Sequence, residues 1–201
     1  MQLYDAVQKR RAVKHYDPDF VMSEEEIKLL VSQAMLTPTA FNIQHWRFVL
    51  VRDPELRSQL RAVGWDQSQI TDASLLFILC GDRKAWEKES ERYWRSMTPE
   101  LQKATVASID AYYRGKEQVQ RDEVMRSCGM AAQTLMLTAK SMGYDSSPMV
   151  GFDFEAVARL INLPKDHVVV MMLAIGKGIK PARPRGGQLP MDEVLILDRF
   201  S

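Results

Sequence analysis

Cysteine is almost missing from this sequence. Cys80 and Cys128 are the only two, both inside apolar segments and at a spacing that fits no metal or redox motif. Buried free thiols in a reducing, cytoplasmic setting are therefore expected. Histidine is nearly as scarce: His15, His45 and His167 have no second ligand at a metal-binding spacing such as i, i+4, so no metal centre is expected. Charge of one sign is missing too. Lys and Arg total 27 against 26 acidic residues, which gives no global electrostatic reason to expect nucleic acid or an anionic membrane as partner. No apolar run reaches the ~20 residues needed to cross a bilayer. The start, Met1-Gln2-Leu3-Tyr4-Asp5-Ala6-Val7, lacks the basic and apolar pattern of a secretory signal. Internal repeats, low-complexity segments, a Gly-rich nucleotide-binding unit and any Ser-His-Asp or Cys-His constellation are absent as well.

What is present is an apolar fraction of 46% in 201 residues, enough for one sizeable core and a single domain over 1–201. The opening residues predict a helix that turns extended through Val13-Lys14-His15-Tyr16 before Asp17-Pro18. Ser23-Glu24-Glu25-Glu26 is a capping box, with Ile27, Leu30, Val31 and Ala34 on one face of the helix it starts. Strands are expected at 48–51, 75–80 and 168–175, with an amphipathic helix at 55–63 after the first. From Lys84 to Arg126 the composition turns charged and aromatic, and Thr98-Pro99 marks a helix start within it; a helical excursion at about 84–126 is expected. The segment 124–142 predicts the central buried helix, and Asp153 caps another at 154–161. Short buried strands among more numerous helices give an α+β fold with helices on both faces of a sheet.

Two stretches stand out chemically. Residues 37–47, Thr-Pro-Thr-Ala-Phe-Asn-Ile-Gln-His-Trp-Arg, put hydroxyls, carboxamides and aromatics together between a helix and a strand. That set suits a flat, hydrogen-bonding aromatic ligand better than a metal; the plainer alternative is an ordered loop. Residues 10–18, Arg-Arg-Ala-Val-Lys-His-Tyr-Asp-Pro, gather three cations at a helix end followed by an extended strip. Such a run is commonly a solvated surface, yet it could also reach a phosphate and a polyol chain together.

These two stretches, in this order, resemble the nitroreductase family of flavin enzymes, and the resemblance continues through 69–74, 147–153 and 176–190. It implies a nitroreductase-like fold, a central, mostly antiparallel sheet flanked by helices, in an intertwined homodimer with two FMN sites at the interface. It also implies reduction of nitroaromatic, quinone or related small-molecule acceptors by NAD(P)H through a ping-pong mechanism. Specialisation for an enoyl, halide or semialdehyde substrate, or flavin binding without turnover, are the alternatives. Since the flavin carries the chemistry, no protein acid, base or nucleophile is singled out.

By the same resemblance, Arg10 with Arg183 and Arg185 takes the phosphate, with Arg11 and Ala12 beside it; Ala12 replaces the family's usual Ser and loses one hydroxyl. Lys14 and Gln69 match positions at the pyrimidine end of the ring. Pro38, Thr39, Ala40, Phe41 and Asn42 serve the neighbouring subunit's flavin. Pro148, Met149, Val150 and Gly151 match the segment that crosses the ring near N5. Tyr112, Tyr113 and Met125, in the aromatic excursion, are candidates for contacting the acceptor. Adjacent helical residues point about 100° apart, so only one tyrosine is expected to face the pocket squarely.

Overall fold

The computed structural model describes residues 1–200. In chain order the elements are α1 (Leu3–Lys9), α2 (Glu24–Ala34), β1 (Trp46–Val51), α3 (Pro54–Val63), α4 (Gln69–Asp72), β2 (Leu75–Asp82), α5 (Pro99–Tyr113), α6 (Glu117–Ser141), β3 (Asp145–Met149), α7 (Phe154–Leu160), β4 (His167–Gly176) and α8 (Met191–Val194). Short 3-10 turns lie at Ala40–Asn42, Ala85–Glu87 and Ser90–Trp94. Among the described residues, no helix is long and apolar enough to cross a membrane.

The strands form one antiparallel sheet in the order β1-β2-β4-β3. Every residue of β2 is buried. On one face Leu76, Ile78 and Cys80 pack with Leu60 of α3 and Val157 of α7. On the other, Leu75, Phe77 and Leu79 pack with Leu30 of α2 and with Ala132 and Leu135 of α6. Burial on both faces is why β2 reads as an unbroken apolar run rather than an alternating one. The architecture is thus the α+β sandwich that the sequence predicts.

Helix starts follow the capping chemistry. Ser23 accepts from the Glu26 N–H while the Glu26 carboxylate accepts from the Ser23 N–H at 3.0 Å. Asp53, Thr98 and Asp153 accept from backbone N–H groups of Glu55, Leu101 and Ala156 in the same manner.

Three differences from expectation bear on the packing around the site. First, a fourth strand, the edge strand β3, lies before Asp153, paired with β4 from Asp145↔Gly176 to Met149↔Met172. Pro148 is tolerated there because an edge strand leaves one side of its backbone unpaired. Second, α6 begins at Glu117 rather than near 124, so the excursion's boundary at 126 falls inside a continuous helix. Third, β2 runs on through Gly81 and Asp82. A Cβ at Gly81 would stand 2.2 Å from Val124 Cγ1, so the absent side chain is what lets α6 lie against the sheet. The excursion carries its own small core, in which Trp86, Ile109 and Tyr113 pack with Ile43.

Candidate functional site

The two ends of the sequence meet in a cavity of about 590 Å³. Arg10, Arg11, Ala12 and Lys14 line one wall, Arg183 and Arg185 the other, and His15 also contributes. The local cause is the end of α1. Arg10 closes that helix, its N–H donating to Ala6 O at 2.9 Å, and the backbone then turns extended. Arg185 Nη2 donates to the carbonyls of Val7, Gln8 and Arg10 at 3.1, 3.3 and 3.2 Å. Those are the orphan carbonyls of a helix C-terminus, where a cation is favoured, so Arg185 fastens the C-terminal basic loop to the N-terminal cluster.

No carboxylate lines this cavity among the described residues. Burial lowers the Arg10 pKa, and the like charges of Arg185 and Arg11 lower it further. Partial burial also lowers that of Lys14. Cations that repel one another without a counter-charge make a site that an anion would stabilise.

From this cavity the backbone leads directly to the second group of expected residues. Ala12 bridges to Ser146 in β3, the Val13 N–H donating to Ser146 O at 3.1 Å, and three residues on is Met149. Gln69, at the start of α4, is only 2% exposed, and its Nε2 donates to Met149 Sδ at 3.3 Å and to Gln67 Oε1 at 3.0 Å. Gln67 in turn donates to Gly151 O at 2.9 Å, and the Asp153 N–H to Val63 O at 3.0 Å. The structure therefore brings Gln69, Pro148, Met149, Val150 and Gly151 together, with the Val150 side chain exposed.

Pro38, Thr39, Ala40, Phe41 and Asn42 do not line the basic cavity. Their loop turns towards the aromatic excursion: Asn42 Nδ2 donates to Tyr93 O at 3.0 Å, and Phe41 packs on Tyr112 and Tyr113. Thr39 Oγ1 accepts from the Gln44 N–H at 3.0 Å. Phe41, Asn42 and Gln44 all have left-handed backbones, with φ of 52°, 56° and 52°. Such conformations cost non-glycine residues roughly 1–2 kcal/mol each and concentrate at functional segments.

The tyrosine pair resolves as helical geometry requires. Tyr113 is 0% exposed, inside the small core against Trp86 and His45. Tyr112 is 37% exposed and its hydroxyl donates to Glu123 Oε1 at 3.0 Å. Met125 is half-buried on α6. Sequence reasoning overlooked Gln67, which links Gln69 to Gly151.

With fold and site in view, comparison places the chain among known proteins. The sequence model of the nitroreductase family matches residues 7–177. DrgA of Synechocystis sp. is 47% identical, over 99% of this chain and 97% of that protein. The oxygen-insensitive NADPH nitroreductase of Helicobacter pylori is 27% identical, over 94% of this chain and 93% of its own length. A protein of Exiguobacterium sibiricum crystallised in complex with FMN superposes with a TM-score of 0.91 at 26% identity, covering 98% of each chain. The chain belongs to the nitroreductase family.

Proposed function

We propose that this protein is an FMN-dependent oxidoreductase that uses NAD(P)H to reduce nitroaromatic, quinone or related small acceptors, working as a homodimer with two flavin sites at the interface. The observation that carries the reading is the basic cavity joined by the Ala12–Ser146 bridge to the segment 148–151. The relative named an NADPH nitroreductase and the neighbour that holds FMN support it.

The donor set fits the cofactor. Arg10, with Arg183 and Arg185, would hold a dianionic phosphate through charge-assisted hydrogen bonds, with Arg11 and the Ala12 backbone beside it. Lys14 would set positive charge at the pyrimidine edge, where it favours an electron-rich ring, and the Gln69 carboxamide, which donates to Met149 and Gln67, would stand beside it. A backbone N–H of the segment Pro148, Met149, Val150, Gly151 would donate to the ring near N5. Pro38, Thr39, Ala40, Phe41 and Asn42, which face away from the cavity of their own chain, would complete the partner's site. Tyr112 and Met125 would form part of the acceptor rim. When bound, FMN would supply the two-electron chemistry that links NAD(P)H to the acceptor in a ping-pong reaction, while these residues hold and orient it.

The dimer also accounts for apolar side chains left in water. Leu3, Tyr4 and Val7 on α1, and Met191, Val194, Leu195, Leu197 and Phe200 near the C-terminus, are all exposed in the isolated chain. The purified protein is expected to be yellow, to release FMN on denaturation, and to bleach anaerobically with NADH or NADPH. Arg10→Ala should weaken FMN binding by about 1.5–3 kcal/mol, the size of a hydrogen bond to a charged group. A colourless protein that FMN cannot reconstitute would overturn the reading.

A further inference from the structure

Trp65 is 75% exposed, whereas Trp46 and Trp86 are 6% and 2% exposed and Trp94 is half-buried. Leaving an indole in water forgoes the largest apolar burial any side chain offers. The loop that carries this one is tied to its surroundings by several hydrogen bonds. Trp65 and its neighbour Asp66 both have left-handed backbones, with φ of 56° and 53°. Arg61 Nε donates to Asp66 Oδ1 at 2.6 Å, and the Asp66 N–H donates back to Arg61 O at 3.1 Å. Gln67 Nε2 donates to Gly64 O at 3.1 Å and to Gly151 O at 2.9 Å, lacing the loop to the segment after β3. The indole lies against Gly151 so closely that a Cβ there would stand 2.6 Å from Cζ3 and 3.0 Å from Cε3.

A surface tryptophan with no task would need neither the strained backbone nor a bare glycine under its ring. We infer that Trp65 is the contact for the electron acceptor: its fixed indole takes one side of a planar, electron-poor ring and holds it beside 149–151. The chemistry matches, because an electron-rich indole face attracts a nitroaromatic or quinone ring, and a platform fixed before binding loses little entropy when the ligand arrives. The inference rests on the flavin reading and adds to it the residue that selects flat acceptors.

The test uses FMN-loaded wild type, Trp65→Phe and Trp65→Ala in the two separated half-reactions. The reduced enzymes are mixed with 4-nitrobenzoate or with ferricyanide, which has no flat ring to stack. Trp65→Ala should raise the half-saturating 4-nitrobenzoate concentration about tenfold, and Trp65→Phe should retain most of the wild-type value. Ferricyanide reduction, flavin content and the rate of flavin reduction by NAD(P)H should stay unchanged in both. Equal effects on the two acceptors, no effect on either, or an effect confined to the NAD(P)H half-reaction would overturn the inference. So would loss of flavin in both variants, which would assign Trp65 to cofactor retention. A wild-type protein that holds no FMN removes the flavin reading itself. A yellow, reducible protein with an unaltered acceptor ranking removes only the role of Trp65.

Discussion

His45 shows at the scale of one residue how an environment overrides a side chain's ordinary chemistry. It is 0% exposed, with Nδ1 3.2 Å from Ser127 Oγ and Nε2 3.4 Å from the Tyr113 hydroxyl. Burial lowers its pKa to about 4, with Asp82 pulling upward and Arg47 downward. At pH 7 the ring is neutral both folded and unfolded. Between about pH 6.5 and 4 the unfolded chain takes up a proton that the folded chain refuses, so stability falls as pH falls through this window and levels off below it. The contribution lost is on the order of 3 kcal/mol. Chemical denaturation from pH 7 to pH 4 should show a flatter decline for His45→Gln; the same slope in both proteins would contradict this origin. That His45 is buried and neutral was not legible in the sequence, because Ser127 and Tyr113 lie far away along the chain.

At the scale of elements, the placement of α4, and with it Gln69, depends on one side chain of α3. Arg57 Nε donates to Val51 O at 3.0 Å, Nη1 to Ala73 O at 2.5 Å and Thr71 O at 3.3 Å, and Nη2 to Ser74 O at 3.0 Å. One guanidinium thus gathers the end of β1, the end of α4 and the start of β2. Arg57→Met keeps much of the stem's packing but leaves these carbonyls without their donor, at a cost of about 2–4 kcal/mol. Urea melts measure that loss, and FMN titration of the folded variant should show weaker binding as Gln69 loses its fixed position. Unchanged stability would mean that water replaces the guanidinium freely. The same scale explains the strand that was not foreseen. Asp145-Ser146-Ser147-Pro148-Met149 has neither an apolar run nor a clean alternation, and only pairing with β4 makes it a strand.

For the whole molecule, the question is how many chains make a site. The loop 38–42 does not line the basic cavity of its own chain, and apolar residues of α1 and of the C-terminal segment are exposed. Mixing Arg10→Ala with Asn42→Ala subunits under exchanging conditions should yield hybrid dimers with one doubly altered site and one intact site, and so recover tight FMN binding in part. Removing residues 189–201 should weaken the dimer, lowering the scattering mass at micromolar protein. A monomer by light scattering that still holds FMN would contradict the proposed dimer.

The sequence by itself determined what short-range physics controls. Caps at Ser23, Asp53, Thr98 and Asp153 started their helices because a side-chain oxygen reaches N–H groups within three residues. The apolar run of β2 was equally plain, since burial on two faces leaves no polar position to interrupt it, and the runs 48–51 and 168–175 marked β1 and β4. The ordered segments 10–18, 37–47, 69–74, 147–153 and 176–190 together carried the resemblance to the nitroreductase family. Tertiary structure alone decided which of Tyr112 and Tyr113 turns inward, and that Trp65 lies over Gly151. It also made β3 a strand and drew Arg185 onto the end of α1, some 175 positions away in the chain. These arrangements come from contacts between distant segments, whose free energy exists only once the core has fixed their approach, so no local pattern in the chain records them.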